Sequence, residues 1–152
     1  MARILFGLLV VVAAFLQATV LPRVNPLAVS PDLVLVLLFL WATRHGVRES
    51  LLWIFFTGLF LDVLTLDAFG TNGLSLVVIV LLAGPARHRL FHASIVVPIL
   101  LVVVVTIVHG LVLSLLRGVV PDTSILFPTA IQSGMHAVLV PIVHVVTRRI
   151  DR

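Results

Sequence analysis

The acidic side chains are the first candidates for chemistry, because the chain of 152 residues has only six of them. Asp62 and Asp67 interrupt the apolar stretch Gly58–Leu74, which reads GLFLDVLTLDAFGTNGL. General acid–base or nucleophilic catalysis would need a second reactive group held beside Asp62, and the sequence offers none. We therefore consider two structural roles. Asp62 either reaches water where a helix ends, or faces the protein interior and accepts hydrogen bonds from the glycine-rich segment 70–73.

The histidines form no catalytic or metal-binding pattern. His109, His136 and His144 fall in apolar segments, at spacings that do not gather imidazoles and carboxylates as a metal site requires. Ser133 lies three residues before His136, but no third group is placed to orient the imidazole. The chain has no cysteine, which excludes disulfides and thiolate metal sites. We expect no enzyme activity, no cofactor and no metal. We expect the histidines either to make hydrogen bonds between helices or to lie at the membrane interface.

Composition places the chain in a membrane. It is 61% apolar and only 11% charged, with a mean hydropathy of +1.30. Soluble domains are usually about a quarter charged, so lipid must be the solvent for most of this chain. The ten basic residues are all arginine and are scattered through short loops, which excludes the basic stripe of a nucleic-acid-binding surface. The expected class is an all-α integral membrane protein with a single transmembrane domain.

Apolar runs divide the chain into six predicted membrane-spanning helices. They cover about residues 4–21, 31–43, 49–66, 73–86, 93–116 and 124–146. The second and fourth are shorter than the roughly 20 residues that cross a bilayer, so four or five crossings are the alternative. Ser30, Pro31 and Asp32 are typical of an N-cap, a first-turn proline and an acid at the positive end of the second helix. Thr71 or Asn72 is expected to cap the fourth.

The arginines predict the orientation of this bundle. Eight of the ten fall on one side of the six predicted spans. The other side carries two arginines and most of the acids, namely Arg23, Arg117, Asp32, Asp62, Asp67 and Asp122. Because loops rich in arginine stay in the cytoplasm, both termini are predicted to be cytoplasmic. The first span is expected to be retained, since its apolar run is long and a small-residue cleavage site is poor.

The first span also carries a pair of small residues. Ala14 and Ala18 are four residues apart, a spacing that allows a second helix to approach closely. Gln17 lies beside them and could supply a hydrogen bond between helices. Ala14, Gln17 and Ala18 are therefore a candidate interface with a partner helix.

Three segments, in this order, resemble a known family. They are LQATVLP at 16–22, SPDLVLVLLFLWAT at 30–43 and GVRESLLWIFFTGLFLDVLTLDAFGTNGLS at 46–75. They resemble the MreD family of rod shape-determining proteins, which has a PDL start to its second helix, a basic loop with Gly and Glu, and a G-x-x-x-D motif followed by a glycine-containing loop. The likeness covers the N-terminal half, and the rest agrees in hydropathy, length and basic tail. By position, the motif falls on Pro31, Asp32, Gly58, Asp62 and Gly70, and the resemblance implies structural roles for them.

The resemblance implies a non-enzymatic scaffold subunit of the bacterial cell-elongation (rod) complex. Such a protein lies in the inner membrane and helps to control cell shape and peptidoglycan synthesis. The implied partner is a single-span MreC-type protein. Together the two proteins would connect to the MreB filament and to the RodA glycosyltransferase with its penicillin-binding transpeptidase. Membrane lipids are expected partners of the arginines.

The resemblance also implies a six-helix fold similar to the substrate-binding S components of energy-coupling-factor vitamin transporters. The alternative function is therefore such an S component, which would capture a small molecule. The chain has no tyrosine and no lysine, so it offers few polar side chains that could bind a vitamin.

Overall fold

The computed structural model describes residues 2–24, 29–86, 96–120 and 123–150, and these residues form six helices. The first, α1, comprises an α-helical segment Ala2–Phe15, a π-helical turn Leu16–Val20 and a last turn Leu21–Val24. The others are α2 (Leu33–Arg44), α3 (Val47–Thr65), α4 (Thr71–Ala86), α5 (Val96–Leu116) and α6 (Thr123–Ile150). The all-α class is confirmed, and each predicted span overlaps one of these helices.

Three helices of the described ranges are long and apolar enough to cross a membrane. They are Arg3–Arg23, Val96–Leu116 and Thr123–Val143. Two further apolar helices, Leu33–Arg44 and Thr71–Ala83, are shorter. The 12 residues of α2 extend about 18 Å at roughly 1.5 Å per residue, which is less than the hydrocarbon core of about 30 Å.

Helix α2 lies at the centre of the bundle. Its sequence LVLVLLFLWATR has no polar face, and every residue from Val34 to Thr43 is buried. It packs against α1, α3, α4, α5 and α6. At its carboxyl end, Trp41 stacks on Phe6 of α1 with ring centroids 3.9 Å apart. An all-apolar helix that is shorter than the hydrocarbon core can be accommodated in this way, because other helices cover all its sides.

The predicted start of α2 is wrong by two residues. Ser30 is not the N-cap and Pro31 is not in the first turn, because the helix begins at Leu33. Asp32 is the N-cap itself. Its backbone is extended (φ −85°, ψ 91°), and its Oδ1 atom accepts a hydrogen bond from the Leu35 N–H at 2.9 Å. Aspartate is a favoured N-cap because its short carboxylate reaches the third backbone donor of the helix.

Candidate functional site

Two groups of polar side chains lie within the bundle. We call the first the Asp62 network; it joins the end of α3 to the start of α4 and consists of Asp62, Thr65, Asp67, Asn72 and Arg117. We call the second the Asp32 cluster; it surrounds the amino end of α2 and consists of Gln17, Asp32, Thr106, His109 and His136.

Asp62 is buried, with 1% of its surface exposed, and its carboxylate faces the turn into α4. Oδ2 accepts from the Gly70 N–H at 2.6 Å, and Oδ1 accepts from the Asn72 N–H at 2.9 Å. The side-chain amide of Asn72 also donates to Oδ1 at 2.9 Å. Of the two roles considered for Asp62, the structure therefore has the one in which it faces inward. These bonds satisfy backbone donors at the start of α4, which no residue of that helix can satisfy.

The capping acceptor of α4 thus comes from another helix. Thr71 and Asn72 were both predicted N-cap candidates, but α4 begins at Thr71, so both residues lie within the helix. Asn72 instead uses its side-chain amide to bridge two carboxylates, with Nδ2 at 2.9 Å from Asp62 Oδ1 and 3.1 Å from Asp67 Oδ2. The Asn72 amide therefore donates to both acids, and it holds the two carboxylates close together without direct contact between them.

Asp67 has a role that its sequence context does not reveal. Its Oδ2 atom accepts from Arg117 Nη2 at 2.6 Å and from Thr65 Oγ1 at 2.7 Å. The hydrogen bond from the Arg117 guanidinium lowers the pKa of this carboxyl below its ordinary value of 3.8. Burial opposes this effect, and the hydrogen bonds from Thr65 and Asn72 lower the pKa further. Because Arg117 follows α5, this ion pair ties the α3–α4 turn to the α5–α6 turn.

Two glycines let α3 and α4 meet at this junction. A Cβ atom on Gly58 would lie 2.3 Å from the Cα of Gly73, which is closer than any real contact of such atoms. The two helices therefore touch backbone to backbone, one turn before Asp62. Gly70, in the turn, has φ +94°, a conformation that side chains with a Cβ rarely adopt. Gly58, Asp62 and Gly70, three of the family-motif residues, thus lie together at one junction.

Leu66 ends α3 in a left-handed conformation, with φ 57° and ψ 31°. The N–H groups of Leu66 and Asp67 both donate hydrogen bonds to the Asp62 carbonyl. Glycine or asparagine is usual at such a position, since a branched side chain costs about 1–2 kcal/mol there. The leucine side chain is nevertheless 93% exposed, so packing within this chain does not explain why it is there.

The Asp32 cluster satisfies the first backbone donors of α2, which have no partner within that helix. The Asp32 N–H donates to His136 Nε2 of α6 at 2.7 Å. The Val34 N–H donates to Gln17 Oε1, in the π-helical turn of α1, at 3.1 Å. The Leu35 N–H donates to Asp32 Oδ1. Since His136 lies 13 residues beyond Thr123, about 20 Å along α6, this helix end is deep in the bundle.

The hydrogen bonds of His136 determine which nitrogen carries the proton. Nε2 accepts from the Asp32 N–H, so the proton is on Nδ1, which donates to Thr106 Oγ1 of α5 at 2.8 Å. Thr106 then donates to the Val102 carbonyl at 2.7 Å. Both nitrogens are occupied, and His136 links α2, α5 and α6 as the predicted interhelical hydrogen bond.

His109 makes a looser contact with the same cluster. Its Nε2 atom lies 3.7 Å from Asp32 Oδ2, which is an electrostatic approach rather than a hydrogen bond. Its Nδ1 atom is buried and has no hydrogen-bond partner among the residues that the structure describes. Within the same residues, no group of three or more His, Asp or Glu side chains could hold a metal ion.

Ser133, the other residue considered for chemistry, donates its hydroxyl to the Ala130 carbonyl at 2.7 Å. It therefore makes a local bond along its own helix. The polar side chains of the two clusters act chiefly on backbone donors and on one another, and this arrangement serves to fix helix ends.

The small-residue face of α1 is buried at Ala14 and half-buried at Gln17 and Ala18. Ala14 is fully buried in the bundle core, and Gln17 is bonded to the start of α2. The predicted contact of Ala14 with a partner helix is therefore wrong, because Ala14 packs within the core of this chain. Gln17 is half-buried, so a contact between Gln17 and a partner stays a prediction. Ala18, beside them, is half-buried, and a contact between Ala18 and a partner stays a prediction.

Sequence reasoning missed Thr65, Thr106 and Arg117. The threonines gave no signal, because a threonine in an apolar helix usually bonds its own backbone. Arg117 did give one: it is one of two arginines on the side that holds most of the acids. Pairing it with Asp67, however, required knowing that the two turns are neighbours.

Comparison with known proteins identifies a family for this chain. A family model described as rod shape-determining protein MreD matches residues 1–150. Neither a curated protein nor a solved structure matches the chain significantly. The family match extends the resemblance from the N-terminal half to nearly the whole length, including the helices that supply Thr106, Arg117 and His136. The chain therefore belongs to the MreD family of rod shape-determining proteins.

Proposed function

We propose that this chain is a non-enzymatic scaffold subunit of the cell-elongation complex in the bacterial inner membrane. The observation that carries the proposal is the match of residues 1–150 to the rod shape-determining family. The chemistry of the buried side chains supports it. Asp62 and His136, the two most deeply buried ionisable groups of the clusters, are both engaged in hydrogen bonds that fix helix ends.

The proposal includes a six-span topology with both termini in the cytoplasm, in a fold similar to the S components of energy-coupling-factor transporters. Two ion pairs between arginines and acids support this topology, because each joins helix ends that would lie on the same side of the membrane. Arg3 at the start of α1 pairs with Glu49 at the start of α3. At the other end of the bundle, Arg117 pairs with Asp67. The arginine-rich end would then be cytoplasmic.

The partner is a single-span MreC-type protein, and we propose that it binds the end of the bundle opposite the arginine-rich end. Three apolar side chains are displayed there on adjoining turns: Leu66 is 93% exposed, Phe69 78% and Val120 79%. The Asp67–Arg117 ion pair holds these turns together. We call these three residues the apolar rim. We propose that the three side chains form one apolar patch, and a patch of this kind can mark a protein-binding surface.

Co-purification tests the proposal. The chain and its MreC-type partner, reconstituted together in nanodiscs, are expected to be recovered as a stable complex when either one is captured. Each protein alone serves as the folding control, by its circular dichroism and monodisperse elution. Two folded proteins that never co-purify would contradict the scaffold role.

The Leu66→Asn variant separates binding from folding. Asparagine adopts the left-handed conformation more readily than leucine, so we expect the free energy of unfolding to stay the same or rise by up to about 1 kcal/mol. Recovery of the partner is expected to fall, because an apolar contact is removed from the apolar rim. Val47→Asn is a matched control, as Val47 is 51% exposed at the start of α3, at the opposite end of the bundle. Equal partner recovery with Leu66→Asn and with the unchanged chain would contradict binding at the rim.

A further inference from the structure

A groove of about 590 Å³ lies between the start of α1 and the start of α3, at the arginine-rich end of the bundle. Its lining includes Arg3, Arg48, Glu49, Leu52, Trp53 and Phe56. None of these residues belongs to the Asp62 network or the Asp32 cluster. The groove is large enough for a substantial ligand, since small-molecule sites span roughly 300–1,000 Å³.

The polar end of the groove holds a pre-oriented guanidinium. Arg3 Nε and Nη2 donate to the two carboxylate oxygens of Glu49, each at 3.0 Å. This pairing fixes the Arg3 side chain, although 76% of it is exposed, and leaves its other N–H groups free to donate. Arg48, the residue before Glu49, adds a second exposed guanidinium. Two arginines against one glutamate give this end a net positive charge.

The opposite end of the groove is apolar and points along the helix. Leu52 and Phe56 are 55% and 63% exposed, and they follow Arg48 by four and eight residues. They therefore lie about 6 and 12 Å farther along α3, in the direction of the bilayer centre. The Trp53 ring packs over Gly7 of α1, where a Cβ atom would be 2.8 Å from Trp53 Cη2. The absence of a side chain at Gly7 therefore lets the Trp53 ring approach α1 closely and form a wall of the groove.

We propose that this groove is a binding site for an anionic phospholipid. The phosphate would lie on Arg3 and Arg48, because guanidinium groups bind phosphate oxygens with paired hydrogen bonds. An acyl chain would lie along Leu52 and Phe56. The groove has a positively charged end, and two turns of apolar side chains follow it along α3. This order matches the head group and acyl chain of a phospholipid better than it matches a soluble anion. Basic pockets between membrane helices recognise anionic head groups in the same way.

Quenching of tryptophan fluorescence tests the site, since Trp53 is in its wall. The only other tryptophan is Trp41, and the Trp41→Phe variant leaves Trp53 as the single reporter. The protein is reconstituted in vesicles that contain equal mole fractions of either dibrominated phosphatidylglycerol or dibrominated phosphatidylcholine. We expect the phosphatidylglycerol to quench Trp53 with an apparent affinity about fivefold higher. Native mass spectrometry of the unsubstituted chain should retain phosphatidylglycerol in the same preference.

Two substitutions of equal charge complete the test. Arg48→Gln is expected to reduce the preference to about one, whereas Arg23→Gln, at the other end of α1, should leave it unchanged. A preference near one before any arginine is changed would overturn the proposal, as would equal losses from the two substitutions. Relief of quenching by soluble glycerol phosphate would also overturn it, because the apolar wall would then contribute nothing to binding.

Discussion

Replacing Asp62 by leucine is expected to lower the free energy of unfolding by about 2–6 kcal/mol. The substitution leaves the Gly70 and Asn72 N–H groups without an acceptor in a buried junction, and each stranded donor costs roughly 1–3 kcal/mol. Leucine cannot replace these bonds, and water is largely excluded, since the Asp62 side chain is 1% exposed. Unfolding in mixed micelles with increasing sodium dodecyl sulfate measures the change.

Asp67→Leu is the matched control, five residues farther along. It removes the ion pair with Arg117, but an ion pair that is partly open to water contributes only about 0–1 kcal/mol. The Asn72 amide keeps its bond to Asp62 in this variant. We therefore expect Asp67→Leu to lower the free energy of unfolding by less than about 1 kcal/mol. Equal and negligible effects of the two substitutions would refute a structural role for Asp62.

Replacing Gly58 by alanine is the second change with a large expected effect. The new methyl group would be 2.3 Å from the Gly73 Cα and 2.6 Å from its nitrogen. Both atoms belong to the backbone, so no side chain can move aside and α3 must separate from α4. Overpacking of this kind costs typically 1–3 kcal/mol and occasionally more. We expect a loss near the upper end, because separating the helices also lengthens the hydrogen bonds to Asp62.

Gly73→Ala provides the control across the same contact. A Cβ atom on Gly73 would lie 3.8 Å from the Gly58 Cα, an ordinary van der Waals distance. Alanine also favours a helix over glycine by about 1 kcal/mol, so this variant should be neutral or slightly more stable. The same denaturant titration distinguishes the pair. If both variants unfold like the unchanged chain, the close approach of α3 and α4 at Gly58 is incorrect.

The class of fold could be predicted from sequence because it depends on composition and on the lengths of apolar runs. A chain that is 61% apolar must place its helices in lipid, and the six runs correspond to the observed helices. The ends were less accurate. The sequence predicted Ser30 as the N-cap of α2, and the choice of Asp32 instead depends on which side-chain oxygen can reach the Leu35 N–H in three dimensions.

The site was predictable only in part, for a similar reason. Asp62 and Gly70 are eight residues apart, and a turn between two helices brings such neighbours together, so their contact could be proposed from sequence. Asp32 and His136 are 104 residues apart, and their contact depends on how α6 packs against α2. The Ala14 error has the same origin. A small-residue face predicts close helix packing, but does not say whether the neighbour is another protein or the chain's own α2.

The short central helix explains why so many polar groups are buried in this chain. A span of full length would present its first backbone donors to water or lipid head groups. Helix α2 instead begins inside the bundle, where an unpaired N–H group costs several kcal/mol in the absence of water. Gln17, Asp32 and His136 supply the acceptors that water would otherwise provide. Their polarity is thus a consequence of the architecture and requires no catalytic role.

Site-specific photo-crosslinking tests the central claim, that this chain acts by binding a single-span partner at its apolar rim, most directly. A photoreactive phenylalanine analogue would be placed at Phe69 of the apolar rim, and separately at Phe55, which is 59% exposed on α3. Both variants would be irradiated in membranes that contain the MreC-type partner. We predict a covalent adduct with the partner from position 69 and none from position 55. The absence of an adduct from position 69, or equal yields from the two positions, would contradict the account.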